Sequence, residues 1–439
     1  MTRDVARVVF SALCLAAVLS AHGGQYRGPG GGVPPGRPGP AVTGGPAGPS
    51  GPGPSGPSTG TSTGGPSLSE ATTWQTWWEF NKEVYLGERR AVEEAAITGS
   101  DDFFLGARRA VPRIDLLAPT DAVLRDRVVP ALAALLDEER NRDVQSACLV
   151  ALGKIGRDGP GVDLEATLAA RIVRDDQEVR ETAVLALGIA GRKAALAPLA
   201  ALVRDDGDGR RLVDRLEVGD RTRAFAAYAL GVLAGRHDDG ELKQQVHDLL
   251  FPLLLDPETD ARDLRTAAVT GLGLLRGDTA SSAHARLAWR TVEELMDWYQ
   301  RDLGRGDELV QAHAPVAIAR LLGRGTSVMH QRCKEHFAAV LGASERRSNP
   351  ILQSAALALG MLAVPGEANG DDRAFSHALQ SYYESGHDRQ ARSFCLIGLA
   401  RIGGAGNRSW LLDAHVRANN ATERPWTALA LGLVGFAAR

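Results

Sequence analysis

The sequence predicts an all-α protein: an α-solenoid of stacked antiparallel helix pairs, following a disordered Gly/Pro/Ser-rich segment. Three observations predict it. A short phrase returns about eight times, every 32 to 50 residues, and self-similarity at that period marks a stack of supersecondary units. Within each copy, apolar and small residues recur at helical spacing. Aromatics make up only 5% of a chain dominated by Ala, Leu, Gly and Arg, a composition that suits helices packed through small side chains.

The copies read DVQSACLVALGKIG at 143–156, EVRETAVLALGIAG at 178–191, RTRAFAAYALGVLAG at 221–235 and DLRTAAVTGLGLLRG at 263–277. They continue as ILQSAALALGMLA at 351–363, RQARSFCLIGLARIGG at 389–404 and RPWTALALGLVG at 424–435. Aligned on Gly153, Gly188, Gly231, Gly273, Gly360, Ala400 and Gly432, all have Leu immediately before that reference position. Five residues before it stand Cys148, Ala183, Ala226, Ala268, Ala355, Cys395 and Thr427, small enough to let a neighbouring helix approach. Eight before it stand Gln145, Arg180, Arg223, Arg265, Leu352, Arg392 and Arg424. Asp143, Glu178 and Asp263 open three copies, where a negative charge suits the free amides and the helix dipole. The arginines read in two ways, as an intramolecular ladder with the acids of adjacent repeats or as a basic stripe for a polyanion. A weaker copy, APVAIARLLGRG at 314–325, has His313 and Pro315 at its opening and predicts a local break in regularity.

Along the chain, residues 1–22 read as a secretory signal: Arg3 and Arg7, an apolar stretch from Val8 to Ala21, and small residues at its close. The stretch is short for a spanning helix, although an uncleaved anchor is the alternative. Residues 23–67 form a Gly/Pro/Ser/Thr-rich linker whose glycines lack a strict period of three, so collagen is excluded and disorder expected. Residues 68–120 read as N-terminal capping helices. There Trp74, Trp77, Trp78 and Tyr85 form an aromatic stripe, which serves either to seal the first repeat or to dock a partner.

Residues 121–439 carry the solenoid. Helix pairs are expected at 121–136 with 143–155, 164–174 with 178–190, 193–203 with 221–233, and 241–255 with 263–275. Further pairs follow at 283–302 with 307–322, 328–341 with 349–362, 371–384 with 388–402, and 408–416 with 422–436. Pro130, Pro198 and Pro252 fall in leading helices and are expected to kink them or to start new turns. Residues 204–220 read as an acidic, Gly-rich loop inserted inside one pair, and Asp205, Asp206, Asp208, Arg210 and Arg211 are its contact candidates. The last copy is expected to leave an apolar face open to another chain, so self-association through this repeat is expected.

The pattern D/E-x-x-R-x-x-A-x-x-A-L-G resembles the HEAT-like repeat, especially its bacterial, bilin-lyase-like form. The resemblance covers residues 121–439 and implies an α-solenoid that serves as a protein-binding scaffold.

Chemistry is sparse. The formal net charge of −3 gives no global pull toward nucleic acid. Gly271, Gly273 and Gly277 mimic a dinucleotide fingerprint with the wrong last interval, and no phosphate-binding loop occurs. His330, Cys333 and His336 lie three apart on one expected helix, which spreads them around it; they are read as side chains of a repeat junction, with metal binding as the alternative. The Asp205–Asp208 run offers oxygen ligands without the order of a calcium hand. Cys148 and Cys395 occupy equivalent packed positions and are expected as buried thiols. No His-Glu dipeptide, as repeated in the di-iron hydroxylases of this fold, is present. The resulting expectation is a non-enzymatic scaffold of the exported compartment that binds protein partners and uses no cofactor. The alternative is an accessory lyase-like enzyme, related to bilin lyases, acting on a small or covalently carried ligand.

Overall fold

The computed structural model describes residues 119–437, apart from 174–175, 257–260, 277–281, 305, 343–346 and 366–371. The leader, the linker and the aromatic segment bearing Trp74, Trp77, Trp78 and Tyr85 therefore lie outside the described residues.

Helices alternate between two layers, with no strand among the described residues. The inner row holds the repeated phrase: α2 (Arg142–Ile155), α4 (Gln177–Ala190), α7 (Asp220–Gly235), α10 (Arg262–Leu272), α13 (Ala314–Leu322), α15 (Asn349–Leu362), α17 (Arg389–Ile402) and α19 (Glu423–Ala437). The outer row holds α1 (121–138, with a π-helical turn at Leu124–Val128), α3 (Leu164–Ala169), α5 (Leu196–Arg204), α8 (Gly240–Leu250) with α9 (Pro252–Leu255), α11 (Ser282–Tyr299), α14 (Val328–Gly342), α16 (Asp372–Ser385) and α18 (Ala405–Arg417). Two short helices stand between rows, α6 (Gly207–Val213) and α12 (Glu308–Gln311).

Local chemistry explains the boundaries. Asn141 accepts a hydrogen bond from the Asp143 amide at 2.9 Å, and Asp176 accepts from Glu178 and Val179, so each caps an inner helix. Gly156 and Gly191 follow α2 and α4 at φ 67° and 70°, the left-handed region where a side chain is strained. The three prolines start turns and do not break them: Pro130 opens the regular part of α1, Pro252 opens α9, and Pro198 sits in the first turn of α5.

The inner seam is backbone against backbone. A Cβ on Gly153 would stand 2.8 Å from the Ala186 carbonyl oxygen, and one on Gly188 would stand 2.5 Å from that of Ala229. Gly231 meets Gly271, Gly273 meets Ala317, and Gly360 meets Gly398 in the same way. Each of these five glycines thus touches the residue two before the reference position of the next inner helix. The outer seam is bridged by side chains: Trp298 donates to the Leu254 carbonyl at 3.1 Å, and Asn407 donates to Ser376 at 3.0 Å. His247 meets Glu294 at 2.7 Å.

Three expectations are corrected here. The expected 307–322 helix is two pieces, α12 and α13, which is the local break in regularity expected there. Ala317 is the residue against Gly273, so Ala319 takes the reference position, while Gly323 ends the helix at φ 66°. Residues 204–220 are not an open loop. Asp206 caps α6 by accepting from the amides of Asp208 and Gly209, and Gly209 lies against the Ala201 carbonyl. Val213 and Val218 are buried, and Asp205 and Asp214 make the reversals at φ 52° and 50°.

The third correction concerns the arginine row, in which ladder-like ion pairs, Arg265–Asp307 at 2.9 Å and Arg392–Glu423 at 3.7 Å, are joined by caps on carbonyls. Three of its arginines reach back to the end of the preceding outer helix or the turn just after it, where carbonyls have no helical partner. Arg180 Nε donates to Ile172 O at 3.1 Å, Arg223 Nε to Val203 O at 3.0 Å and Arg392 Nε to Tyr383 O at 2.5 Å. Gln145 does the same to Glu139 O at 2.6 Å, and Gln311 to the carbonyls of Trp298 and Tyr299 at the end of α11 and of Arg301 just beyond it. Cross-repeat ion pairs exist beside these caps, as in Arg221–Glu181 at 2.7 Å and Arg265–Asp307 at 2.9 Å. Replacing Arg180 with Ala is expected to lower stability by about 1–3 kcal/mol, because a buried charge-assisted bond is lost and Ile172 O is left unpaired. Arg180→Gln should recover part of it, as Gln145 and Gln311 show; urea midpoints of the two variants check this.

Candidate functional site

Along the inner helices one stripe faces away from the outer row, at positions six and three before the reference residue and one after it. On α4 it comprises Thr182, Leu185 and Ile189; on α7, Phe225, Tyr228 and Val232; on α2, Ala147, Val150 and Lys154. All are half-buried except the exposed Lys154. An i, i+3, i+7 spacing places each set on one helix face, and sequential stacking of α2, α4 and α7 joins the faces into a ribbon. Its centre is apolar, and Lys154, Glu178, Arg221 and Arg236 lie at its edges.

Farther along, the middle position closes up, while Leu274, Arg320, Met361 and Arg401, one after the reference, stay half-buried. Val316, Leu357 and Ile397 are buried, and Arg324 donates to the Arg401 carbonyl across the intervening α15. His313 sits on this closed part, where burial and then Arg320 push its imidazole down to about 4. The stripe is thus most open over α2, α4 and α7, where all three of its positions on each helix are at least partly accessible. Sequence reasoning aligned these copies for their packed positions and missed the stripe, although Leu185, Ile189, Phe225, Tyr228 and Val232 already carried the signal as large apolar residues beyond what one packed face requires.

The insertion makes a second concavity. A cleft of about 360 Å³ between α5 and α6 is lined by Ala197, Pro198, Ala201, Asp208, Arg211 and Leu212. Asp208 and Arg211 pair with each other at its edge. Asp205 is engaged by Arg210, with bonds of 3.0 and 2.9 Å, and accepts from the Val218 amide at 2.7 Å. Arg210 chiefly, helped by that amide, holds the Asp205 carboxyl below the usual range. These acids are employed in building α6, which leaves Asp208 and Arg211 as the two contact candidates on the cleft.

His330, Cys333 and His336 are not brought together. His330 Nδ1 meets the Ser327 hydroxyl at 2.7 Å, while His336 lies edge-on to Tyr299 with centroids 5.6 Å apart. Cys333 is buried, and burial pushes its thiol up to about 11. Among the described residues, no group of three or more His, Cys, Asp or Glu side chains is placed to hold a metal ion. The described cysteines, Cys148, Cys333 and Cys395, are free and buried. No helix among the described residues is long and apolar enough to cross a membrane.

Residues 129–217 match the family model of HEAT repeats. No curated protein matches the chain. Among solved structures, an engineered protein is similar at TM-score 0.32 and 16% identity, covering 72% of this chain and 82% of that one. Human deoxyhypusine hydroxylase in complex with glycerol is similar at TM-score 0.28 and 16% identity, covering 72% of this chain and 99% of that one. Kap95p, from a structure with RanGDP, gives TM-score 0.34 and 14% identity, covering 82% of this chain and 55% of its own. None of these three likenesses bears on activity. The family match over the first units, and the recurrence of the same helix pair as far as α19, make the chain a HEAT-like repeat protein.

Proposed function

We propose that this protein is a non-enzymatic, protein-binding scaffold of the exported compartment, which holds its partner along the inner ribbon. One observation carries the reading: Val150, Leu185, Ile189, Phe225, Tyr228 and Val232 stay partly accessible on three consecutive inner helices, and Val316, Leu357 and Ile397, the later equivalents of Val150, Leu185 and Tyr228, are buried. A half-exposed apolar strip with charged edges suits an extended partner segment that supplies apolar anchors. Rigid stacking keeps the strip preorganised, so little ordering opposes binding. The export part of the reading rests on the basic and apolar leader in residues 1–22.

The test is capture from the exported fraction with the full chain, beside Leu185→Asp and Tyr228→Asp variants of unchanged helicity. The reading expects a protein partner whose recovery falls about tenfold or more in both variants. Equal recovery by all three chains would reject the ribbon. A small molecule that co-purifies in place of a protein would favour the lyase-like alternative. Recovery of the unprocessed chain in the cytoplasm would remove the exported compartment.

A further inference from the structure

In a two-layer stack an inner helix has neighbours on both sides and the outer row behind it, and its front is left open, as on α2, α4 and α7. α15 departs from this. Its ten residues from Ile351 to Gly360 are all buried, nearly three turns and therefore every face of the helix. The described elements that chiefly pack against it are α13 and α17 beside it, α14 behind it and the short α12. On α17 the seven residues from Phe394 to Ala400 are buried too, between α15 and α19 with α16 and α18 behind. Leu357 and Ile397, on the fronts of these helices, are 3% and 0% exposed. Ser354, also on the front of α15, has a buried hydroxyl with no hydrogen-bond partner among the described residues.

We propose that this front is covered by the chain's own aromatic segment, residues 72–86, laid across α13, α15 and α17. A cover over three helices has to come from outside the described residues, and the undescribed stretches within the solenoid hold at most six residues each. That leaves residues 1–118. Residues 23–67 carry almost no large apolar side chain, and the apolar part of the leader has neither Trp nor Tyr. Residues 72–86 set Trp74, Trp77, Trp78 and Tyr85 on one helix face. Each of these rings brings a large apolar area together with an N–H or O–H, which the sealed Ser354 hydroxyl lacks on the side of the described residues. Charge agrees: Glu79 and Glu83 lie in the segment, and Arg320, Arg324 and Arg401 rim the sealed front. As a helix the segment is about 22 Å long, close to two inner steps of roughly 8–10 Å from α13 to α17. Residues 87–118 reach up to about 100 Å when extended, and the six steps from α2 to α17 need only about 60 Å. The cover leaves the ribbon over α2, α4 and α7 open, and it stands whatever that ribbon binds.

Photocrosslinking tests it, with p-benzoylphenylalanine in place of Trp78 in the dilute full chain and peptide mapping after irradiation. The expected adducts join position 78 to α13, α15 or α17 within one chain. Adducts to α1 or α2, to the ribbon on α4 and α7, or only between chains would overturn the proposal, and so would their absence. Thiol labelling gives a second measurement. Leu357→Cys should react about tenfold or more faster once Trp74, Trp77 and Trp78 are all changed to Ala, while Cys148, buried in the first repeat, stays protected and reports an intact stack. Equal labelling rates with and without the three tryptophans would also overturn it.

Discussion

Replacing Gly188 with Val is expected to destabilise the folded chain by at least about 3 kcal/mol, among the largest effects of any single substitution outside a charged pair. The reason is what surrounds the site. The first carbon of the new side chain would stand 2.5 Å from the Ala229 oxygen, 2.8 Å from its Cα and 2.9 Å from its carbonyl carbon. All three are backbone atoms of α7, so no side chain can turn aside, and α4 and α7 must separate. Separation uncovers Leu187, Ala226 and Leu230, all buried at this seam. Gly432→Val is the matched control, with the same chemistry and nothing within 4 Å, and should shift stability by a few tenths of a kcal/mol. Repeat arrays lose cooperativity when one interface weakens. Urea unfolding read both by helicity and by hydrogen exchange should therefore show Gly188→Val splitting the transition near α4–α7. A single unshifted transition would contradict the backbone-contact account of the stack.

The second large effect is expected at Lys334 and Asp372. Lys334 Nζ lies 2.5 Å from Asp372 Oδ1, with side chains 1% and 2% exposed, between outer helices α14 and α16. Lys334 also donates to the Gly325 carbonyl at 3.3 Å, and Asp372 Oδ2 accepts from the Val364 amide at 2.8 Å. The ammonium stands 5.2 Å from the Phe375 ring centroid. Removing one charge strands the other in a dry site, at a cost of about 3–5 kcal/mol. Asp372→Asn isolates that electrostatic part, because the amide oxygen still serves Val364. Adding Lys334→Met should then recover more than half of the loss, since a neutral, flexible side chain of similar length fills the space without a stranded charge. Urea midpoints of the two singles and the double complete the cycle. If Asp372→Asn alone falls within 0.5 kcal/mol of wild type, a threshold of about the usual surface effect, the pair is not the lock between these helices.

Much of this architecture was legible because the inner helices bury their residues in nearly identical settings, so selection for packing left the same letters at Leu187, Leu230 and Leu359. Elsewhere a local signal misled for an identifiable reason. The weak copy carries Leu322-Gly323 where other copies carry the Leu-Gly step, but Gly323 serves as a helix terminator at φ 66°. The Asp-Asp-Gly-Asp-Gly run reads as loop because its residues favour turns; here Asp206 uses that chemistry to start a helix and Asp205 to reverse the chain. The arginines were visible as a row, yet Arg180, Arg223 and Arg392 find carbonyls at the end of the preceding outer unit, and a carbonyl has no letter in the sequence. The ribbon lay in the sequence too, but apolar residues on a second helix face look like surplus core until neighbouring helices are stacked. Of the contact candidates, Asp208 and Arg211 come together on the cleft, whereas Asp205, Asp206 and Arg210 belong to the framework of α6.

The two seams differ in what holds them apart, and that difference makes the stack behave like the binding of a book. On the inner side the spacing between leaves is a peptide thickness, which no rotamer change can lengthen. On the outer side the leaves are tied by Trp298, His247, Lys334 and Asn407, long side chains with torsions to spare. Any change of curvature must therefore open or close the outer margin while the spine keeps its length. A molecule lying along the spine meets a ruler of constant graduation, whatever the covers are doing.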